Sequence, residues 1–223
     1  MDDIFIMLIT ILIMTLAVRF VPYILKYQQS NYKHESGIGL LRYLFDTGSF
    51  GEALIFFELE KLPVYSKIMT NLYIPTEDGT TEIDVLYIAP SGIYVIESKN
   101  YSGWIFGDEK ARNWTAVIYK TKNKFLNPIW QNKKHIKYLN KILTDVQLRS
   151  LIVFSERCEL KRINVEEGHV IKRGKLRKII LKESEKVIFS DQEIDDFYKK
   201  LKVYSLRSEE EKMLHIEHAK KSK

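Results

Sequence analysis

Three residues on one short stretch carry the clearest chemical potential: Asp84, and then Glu97 and Lys99. The stretch reads as two strands, each rich in Ile, Val and Tyr, joined by Pro90-Ser91-Gly92 as turn chemistry. Strand side chains alternate faces, so Glu97 and Lys99 project to one side, after Ile93 and Val95. A carboxylate and an ammonium thus close an otherwise apolar stripe, and Asp84 lies on the preceding strand among Ile83, Val85 and Leu86. Burying such charges uncompensated costs on the order of several kcal/mol per ion, and two neighbouring carboxylates repel. A divalent cation removes both penalties. Oxygen-only ligands suit magnesium or manganese, and Lys99 is then free to stabilise charge on a phosphate. That set can cleave a phosphodiester by metal-assisted hydrolysis. The plainer reading is a surface hairpin with a Glu–Lys pair on its exposed face.

Other elements must position these groups. Ser49 is a candidate N-cap, with Glu52 completing a capping box ahead of an apolar helix that ends before Pro63. Glu52 also lies on the stripe of Ile55 and Phe56, so a helix packed on the hairpin would turn it toward Asp84 and Glu97. Gly48 and Gly51 would permit that close approach. Residues 64–75 read as a strand, and Glu77-Asp78-Gly79 as a turn into the Asp84 strand. After the hairpin come short strands at 101–107 and 114–119 and a basic turn at 120–124. Asn127 then caps a helix with Pro128 at its first position. On it Gln131 and His135 share a face, where Gln131 could hydrogen-bond a metal ligand or a phosphate, and Trp130 is expected in the core. Residues 148–154 form a buried strand.

Residues 157–187 are basic, with Gly174 suggesting a hairpin. They read either as a contact for nucleic acid phosphates or, preferred here, as a solvated edge strand guarded by charge. Ser190 and Glu193 make a capping box for a helix reaching about residue 204, and the charged tail beyond is expected to fray or to form an exposed helix.

The 223 residues carry a net charge of +6, which suits a polyanion or an anionic membrane surface as partner. One cysteine excludes an intramolecular disulfide and points to a reducing compartment. Residues 4–25 are apolar apart from Thr10, Thr15 and Arg19, close to the about 20 residues that a bilayer core of about 30 Å requires. Asp2 and Asp3 precede this run, while Arg19, Lys26 and Lys33 follow it. The positive-inside rule then puts the globular part in the cytoplasm, behind a single-pass anchor in the cell membrane. An acidic start and no small-residue cleavage site argue against a removed signal peptide.

Gly48-Ser49-Phe50-Gly51-Glu52, Thr81-Glu82-Ile83-Asp84, Tyr94 through Gly103 with its Glu97-Ser98-Lys99, Trp114, and Asn127-Pro128-Ile129-Trp130-Gln131 together resemble the nuclease-related domain, NERD. That family is similar to the PD-(D/E)xK restriction-endonuclease-like superfamily. The resemblance covers residues 46–145 and implies an α/β fold, a restriction-endonuclease-like mixed sheet flanked by helices, behind the N-terminal transmembrane helix. The chain then divides into an anchor (1–26), a juxtamembrane linker (27–46), the domain core (47–145), strands and a helix completing it (146–205), and a charged tail (206–223). The resemblance implies that Glu52, Asp84 and Glu97 are acidic site residues, that Lys99 is the superfamily lysine, and that Gln131 is the glutamine of the following helix. His135 stands where some relatives carry a tyrosine. Magnesium or manganese would be held by Asp84, Glu97 and the Ser98 carbonyl, with Glu52 in support, and the substrate would be nucleic acid, DNA foremost. Two alternatives stay open. One is a catalytically inactive nuclease-fold protein that binds nucleic acid or acts as a scaffold at the membrane. The other is a structural membrane protein whose carboxylates pair with lysines.

Overall fold

The computed structural model describes residues 2–165 and 169–205. It begins with helices α1 (Asp2–Gln29), α2 (Tyr32–Ser36), α3 (Leu40–Phe45) and α4 (Thr47–Leu59). Strands β1 (Lys67–Thr76), β2 (Gly79–Ala89), β3 (Gly92–Lys99), β4 (Gly103–Asp108), β5 (Asn113–Ile118) and β6 (Thr121–Leu126) follow. Helix α5 (Pro128–Leu139) leads to β7 (Leu148–Phe154), β8 (Cys158–Asn164) and β9 (His169–Lys172), and then to helices α6 (Leu176–Glu183) and α7 (Asp191–Lys202).

The first three strands form an antiparallel meander, and β7 joins the far side of β3 in parallel, giving the order β1-β2-β3-β7-β9. A second mixed sheet has the order β6-β5-β4-β8. The fold is therefore mixed α/β with helices on both faces of the main sheet, as expected, plus a second sheet. Strand β3 is central because Ile93-Tyr94-Val95-Ile96 is apolar on both faces, which suits a strand covered on both sides. Tyr94 and Ile96 pack with Ile55 and Leu59 of α4 and Ile180 of α6. Ile93 and Val95 pack with Leu139 of α5 and with Ile194 and Leu201 of α7. The second sheet covers Ile152 and Phe154 of β7 with Ile105, Trp114 and Ala116.

Helix α1 is long and apolar enough to cross a membrane, with a mean hydropathy of 2.6 in a window that is 0% buried. Residues 27–46, expected as a polar linker, are instead packed. Tyr27, Tyr32, Ile38 and Tyr43 form a buried cluster with Ala53, Phe56 and Phe57 of α4. Their hydroxyls are satisfied as well: Tyr27 donates to the Ile38 carbonyl at 2.7 Å and Tyr32 to that of Ser49 at 3.1 Å. Their packing partners on α4 lie outside the segment itself, so its own polar composition did not show the contact.

Four local expectations change. Asp46, not Ser49, caps α4: its carboxylate accepts the Ser49 N–H at 2.8 Å, and a charged acceptor there also complements the helix dipole. The 120–124 stretch is the start of β6, not a turn, because Lys122 and Lys124 face outward from a strand whose Phe125 reaches the core. Gly174 lies in a short 3-10 turn leading into α6 rather than in a hairpin. Trp130 is 42% exposed, with its indole N–H donating to the Glu109 carbonyl at 2.8 Å. The Ser190–Glu193 capping box is present at the start of α7, and the charged tail lies outside the described residues.

Candidate active site

The site sits where the main sheet opens. Pairing of β1 with β2 runs from Lys67↔Ile88 to Thr76↔Gly79 but skips Asn71, whose φ is +53°. Asn tolerates this left-handed conformation better than most side chains. Pairing of β2 with β3 stops at Val85↔Ile96, so Asp84 and Glu97 lie one residue beyond the last rung. Ile83 and Leu86 both reach the core beneath α5 and α7, so the alternation of faces slips across Asp84. A side chain replaces the missing rung: the Asp84 carboxylate accepts the Ser98 backbone N–H at 2.8 Å.

Glu97 is the buried centre, only 3% exposed. Its Oε1 accepts from Lys99 Nζ at 2.6 Å, and its Oε2 accepts from His135 Nε2 at 3.0 Å. The second His135 nitrogen shares a 2.7 Å hydrogen bond with the Thr81 hydroxyl, which fixes the ring from behind. Burial alone would raise the pKa of Glu97, but the Lys99 ammonium and the His135 hydrogen bond outweigh it and hold that pKa down at about 2. Asp84 has the opposite balance: burial and then the charge of Glu97 push it well above the ordinary carboxylate range. Burial would lower the pKa of Lys99, yet Glu97 and Asp84 together raise it. One carboxylate of the pair is thus ionised and the other favours its proton.

Glu52 arrives from α4 as the sequence suggested, yet its direct partner is Asn71, whose amide donates to Glu52 at 3.3 Å and to Glu82 at 3.1 Å. Tyr73 also donates to Glu82, at 2.7 Å. Burial and then the nearby Glu82 carboxylate push Glu52 up to about 8. Helix α4 can approach because of Gly51, where a Cβ would lie 2.9 Å from that of Asn100. Gly48 meets no such constraint, since a Cβ there would find Asp46 Oδ1 at an ordinary 3.4 Å. Gly51→Ala is expected to cost about 1–3 kcal/mol through overpacking, read from urea midpoints. An unchanged midpoint would mean that α4 shifts freely.

The structure therefore brings together Asp84, Glu97, Lys99 and the Ser98 amide, with Glu52 close enough to influence Asp84 electrostatically. It does not bring Gln131 into that network: Gln131 is half-buried, and its side chain has no hydrogen-bond partner among the described residues. The neighbouring Asn132 anchors α5 instead, donating to the Val95 carbonyl and the Ser150 hydroxyl, each at 2.8 Å. Sequence reasoning missed Thr81, Asn71 and Glu82. Glu82 carried a signal, since regular alternation puts it on the face of Asp84. Asn71 carried none, because its role depends on the interrupted rung.

Among the described residues, no three His, Cys, Asp or Glu side chains stand close enough to ligate one ion. The oxygens here are of the kind a hard cation takes, though they are not gathered on one point. Asp84, Glu97 and Glu52 offer carboxylate oxygens, and the buried Asn71 Oδ1 has no hydrogen-bond partner among the described residues.

The family model for the nuclease-related domain matches residues 47–155, a span that holds Glu52, Asn71, Thr81, Glu82, Asp84, Glu97, Lys99 and His135. Over those residues the chain is similar to the nuclease-related domain. The NERD domain is restriction-endonuclease-like, in keeping with the mixed sheet and its splayed acidic end. An uncharacterized protein of Bacillus anthracis is 42% identical to this chain over 138 residues, covering 60% of this chain and 65% of that one. The chain thus spans just under two thirds of that relative's length. No solved structure matches it.

Proposed function

We propose that this chain is a membrane-tethered, divalent-metal-dependent nuclease that hydrolyses phosphodiester bonds in nucleic acid, DNA foremost. The observation that carries this reading is the network of Lys99, Glu97 and His135 beside Asp84, on a splayed hairpin of the NERD domain. Asp84 and Glu97, with the Ser98 carbonyl, would hold magnesium or manganese, and Glu52 would support it through water. The bound ion would supply an activated water and charge neutralisation at the scissile phosphate. Lys99 keeps its ammonium charged next to the site and can stabilise negative charge developing on the phosphate. Gln131, on the adjoining helix and with no side-chain hydrogen bond among the described residues, would position a phosphate.

A polyanion also finds support on the outer face of the second sheet. Cross-strand rows set Trp104 beside Val117 and Lys122, and Phe106 beside Thr115 and Lys124. Lys161 Nζ lies 5.2 Å from the Trp104 ring centroid, and Trp104 is 51% exposed. Aromatic faces among cations suit bases and phosphates together. Arg19, Lys26 and Lys33 favour a cytoplasmic domain.

The test is magnesium- or manganese-dependent cleavage of linear, circular and single-stranded DNA, and of RNA, by the full chain in detergent, alongside Asp84→Ala and Lys99→Ala. Cleavage that both substitutions abolish supports the proposal, and its absence from folded protein with either metal removes it. A second reading is a nuclease-fold binding or scaffold protein. It is favoured by the fact that Lys99 and His135 already satisfy both oxygens of Glu97. Magnesium separates the two: a metal site predicts a melting temperature that climbs with magnesium concentration and a loss of that rise in Asp84→Asn, whereas an ion-pair cluster predicts no rise.

A further inference from the structure

A second concave feature lies where α1 meets the domain. It is a cleft of about 550 Å³ whose walls include Arg19, Phe20, Phe45, Phe50, Asn100 and Arg157, within the usual size range for a small-molecule site. Its charge is unbalanced. Arg19 has no carboxylate partner among the described residues. Among the described residues, the Arg157 guanidinium donates only to neutral acceptors, the Asn100 carbonyl and side-chain oxygens, each at 3.0 Å. Asp46 also borders the cleft, but its carboxylate is engaged as the cap of α4.

The apolar part of the wall continues onto an exposed surface. Leu41 and Phe45, one turn apart on α3, are each 73% exposed, while Tyr43 of the same helix is buried. The Phe45 ring stands 6.3 Å from that of Phe20 on α1. Helix α3 therefore turns an apolar edge outward beside the apolar helix. Rising about 1.5 Å per residue, α1 carries Arg19 about 22 Å beyond Ile4, near the far end of a bilayer core of about 30 Å. Its long stem can then reach headgroup level.

We propose that this cleft binds an anionic membrane phospholipid, with Arg19 and Arg157 on the headgroup phosphate and Phe20, Leu41 and Phe45 against the acyl chains. The inference rests on the reading of α1 as a membrane anchor and is independent of nuclease activity. It also has a consequence for the carboxylate site. Asn100, which follows Lys99, accepts from Arg157 and donates to the Thr47 carbonyl at 2.5 Å. A lipid held by Arg157 thus fixes the catalytic end of β3 at the bilayer surface.

The test uses the full chain in nanodiscs of equal phosphatidylcholine and phosphatidylglycerol, released for native mass spectrometry, with membrane integration checked by an alkaline carbonate wash of vesicles. The expected result is retention of phosphatidylglycerol about tenfold over phosphatidylcholine, lost in Arg19→Gln/Arg157→Gln. If the double variant fails to fold, Arg19→Gln alone, on the exposed helix, is expected to reduce the preference about fivefold. Equal retention of both lipids, or a preference that survives these substitutions in folded protein, overturns the inference while a carbonate-resistant chain keeps the anchor reading. Release by carbonate overturns both. Displacement of phosphatidylglycerol by a single-stranded oligonucleotide also overturns it and assigns the cleft to a nucleic-acid path.

Discussion

Lys99→Met is expected to lower stability at neutral pH by about 3 kcal/mol or more, because it leaves Glu97 buried with one cationic-side partner removed. In the native protein the Lys99–Glu97 contact is 2.6 Å with side chains 14% and 4% exposed, so solvent screens it little. The pH dependence should change in a defined direction. Glu97 has a folded pKa of about 2 against an ordinary 4.5, so its ionised form contributes stability above about 4.5 that is lost as pH falls toward 2. Removing Lys99 shrinks that shift and flattens the acid limb of the stability curve. Urea unfolding across the acid range reads both effects. Equal midpoints for variant and native protein would mean that Glu97 is not held ionised by Lys99, and the network would lose its central argument.

Glu52→Gln is expected to act with the opposite sign. Burial and Glu82 raise Glu52 from 4.5 to about 8, so folding favours its protonated form. Its favourable contribution is complete below the unfolded value of about 4.5, declines as pH rises, and is gone above about 8, where native Glu52 is charged. A neutral amide of the same shape removes that loss. The variant should match the native protein near pH 4 and exceed it by a few kcal/mol above pH 8, seen as a higher melting temperature at alkaline pH. If the advantage is equally large in acid, packing rather than charge explains it. The same comparison with magnesium present bears on function: a cation that uses Glu52 should erase the variant's alkaline advantage, since the charged native carboxylate then has a partner.

Much of this site was legible in the chain, for reasons that are local. Alternation along a strand put Glu97 and Lys99 on one side, and the structure has them in contact. Asn127 and Pro128 marked the start of α5 correctly, with Asn127 accepting the Ile129 N–H. Gly51 was recognisable as a point of close approach. What escaped was non-local. The Asp46 cap differs from the expected one by three positions because Asp and Ser are both good N-caps and only the packed helix chooses between them. The tyrosines of residues 27–46 pack against α4, about one helix further along, so their own neighbours could not reveal the contact. His135 was noted for its place on a helix, but its partners Thr81 and Glu97 lie 54 and 38 residues away. Asn71 matters only because a rung is missing opposite Asp84, and register is a property of two strands together.

The parallel pairing of β3 with β7 bears on the order in which this chain can assemble as it leaves the ribosome. The β1–β2–β3 meander is built from neighbours and can form early, yet until Leu148–Phe154 emerges, β3 has an open edge. Ile152 and Phe154, opposite Glu97 and Lys99 in the register, arrive only after α5 and pack the second sheet over the same end. A nascent chain therefore holds an unsheltered hairpin through the synthesis of β4, β5, β6 and α5. Helix α1, which precedes these strands and is long and apolar enough to cross a membrane, has already been made throughout that interval.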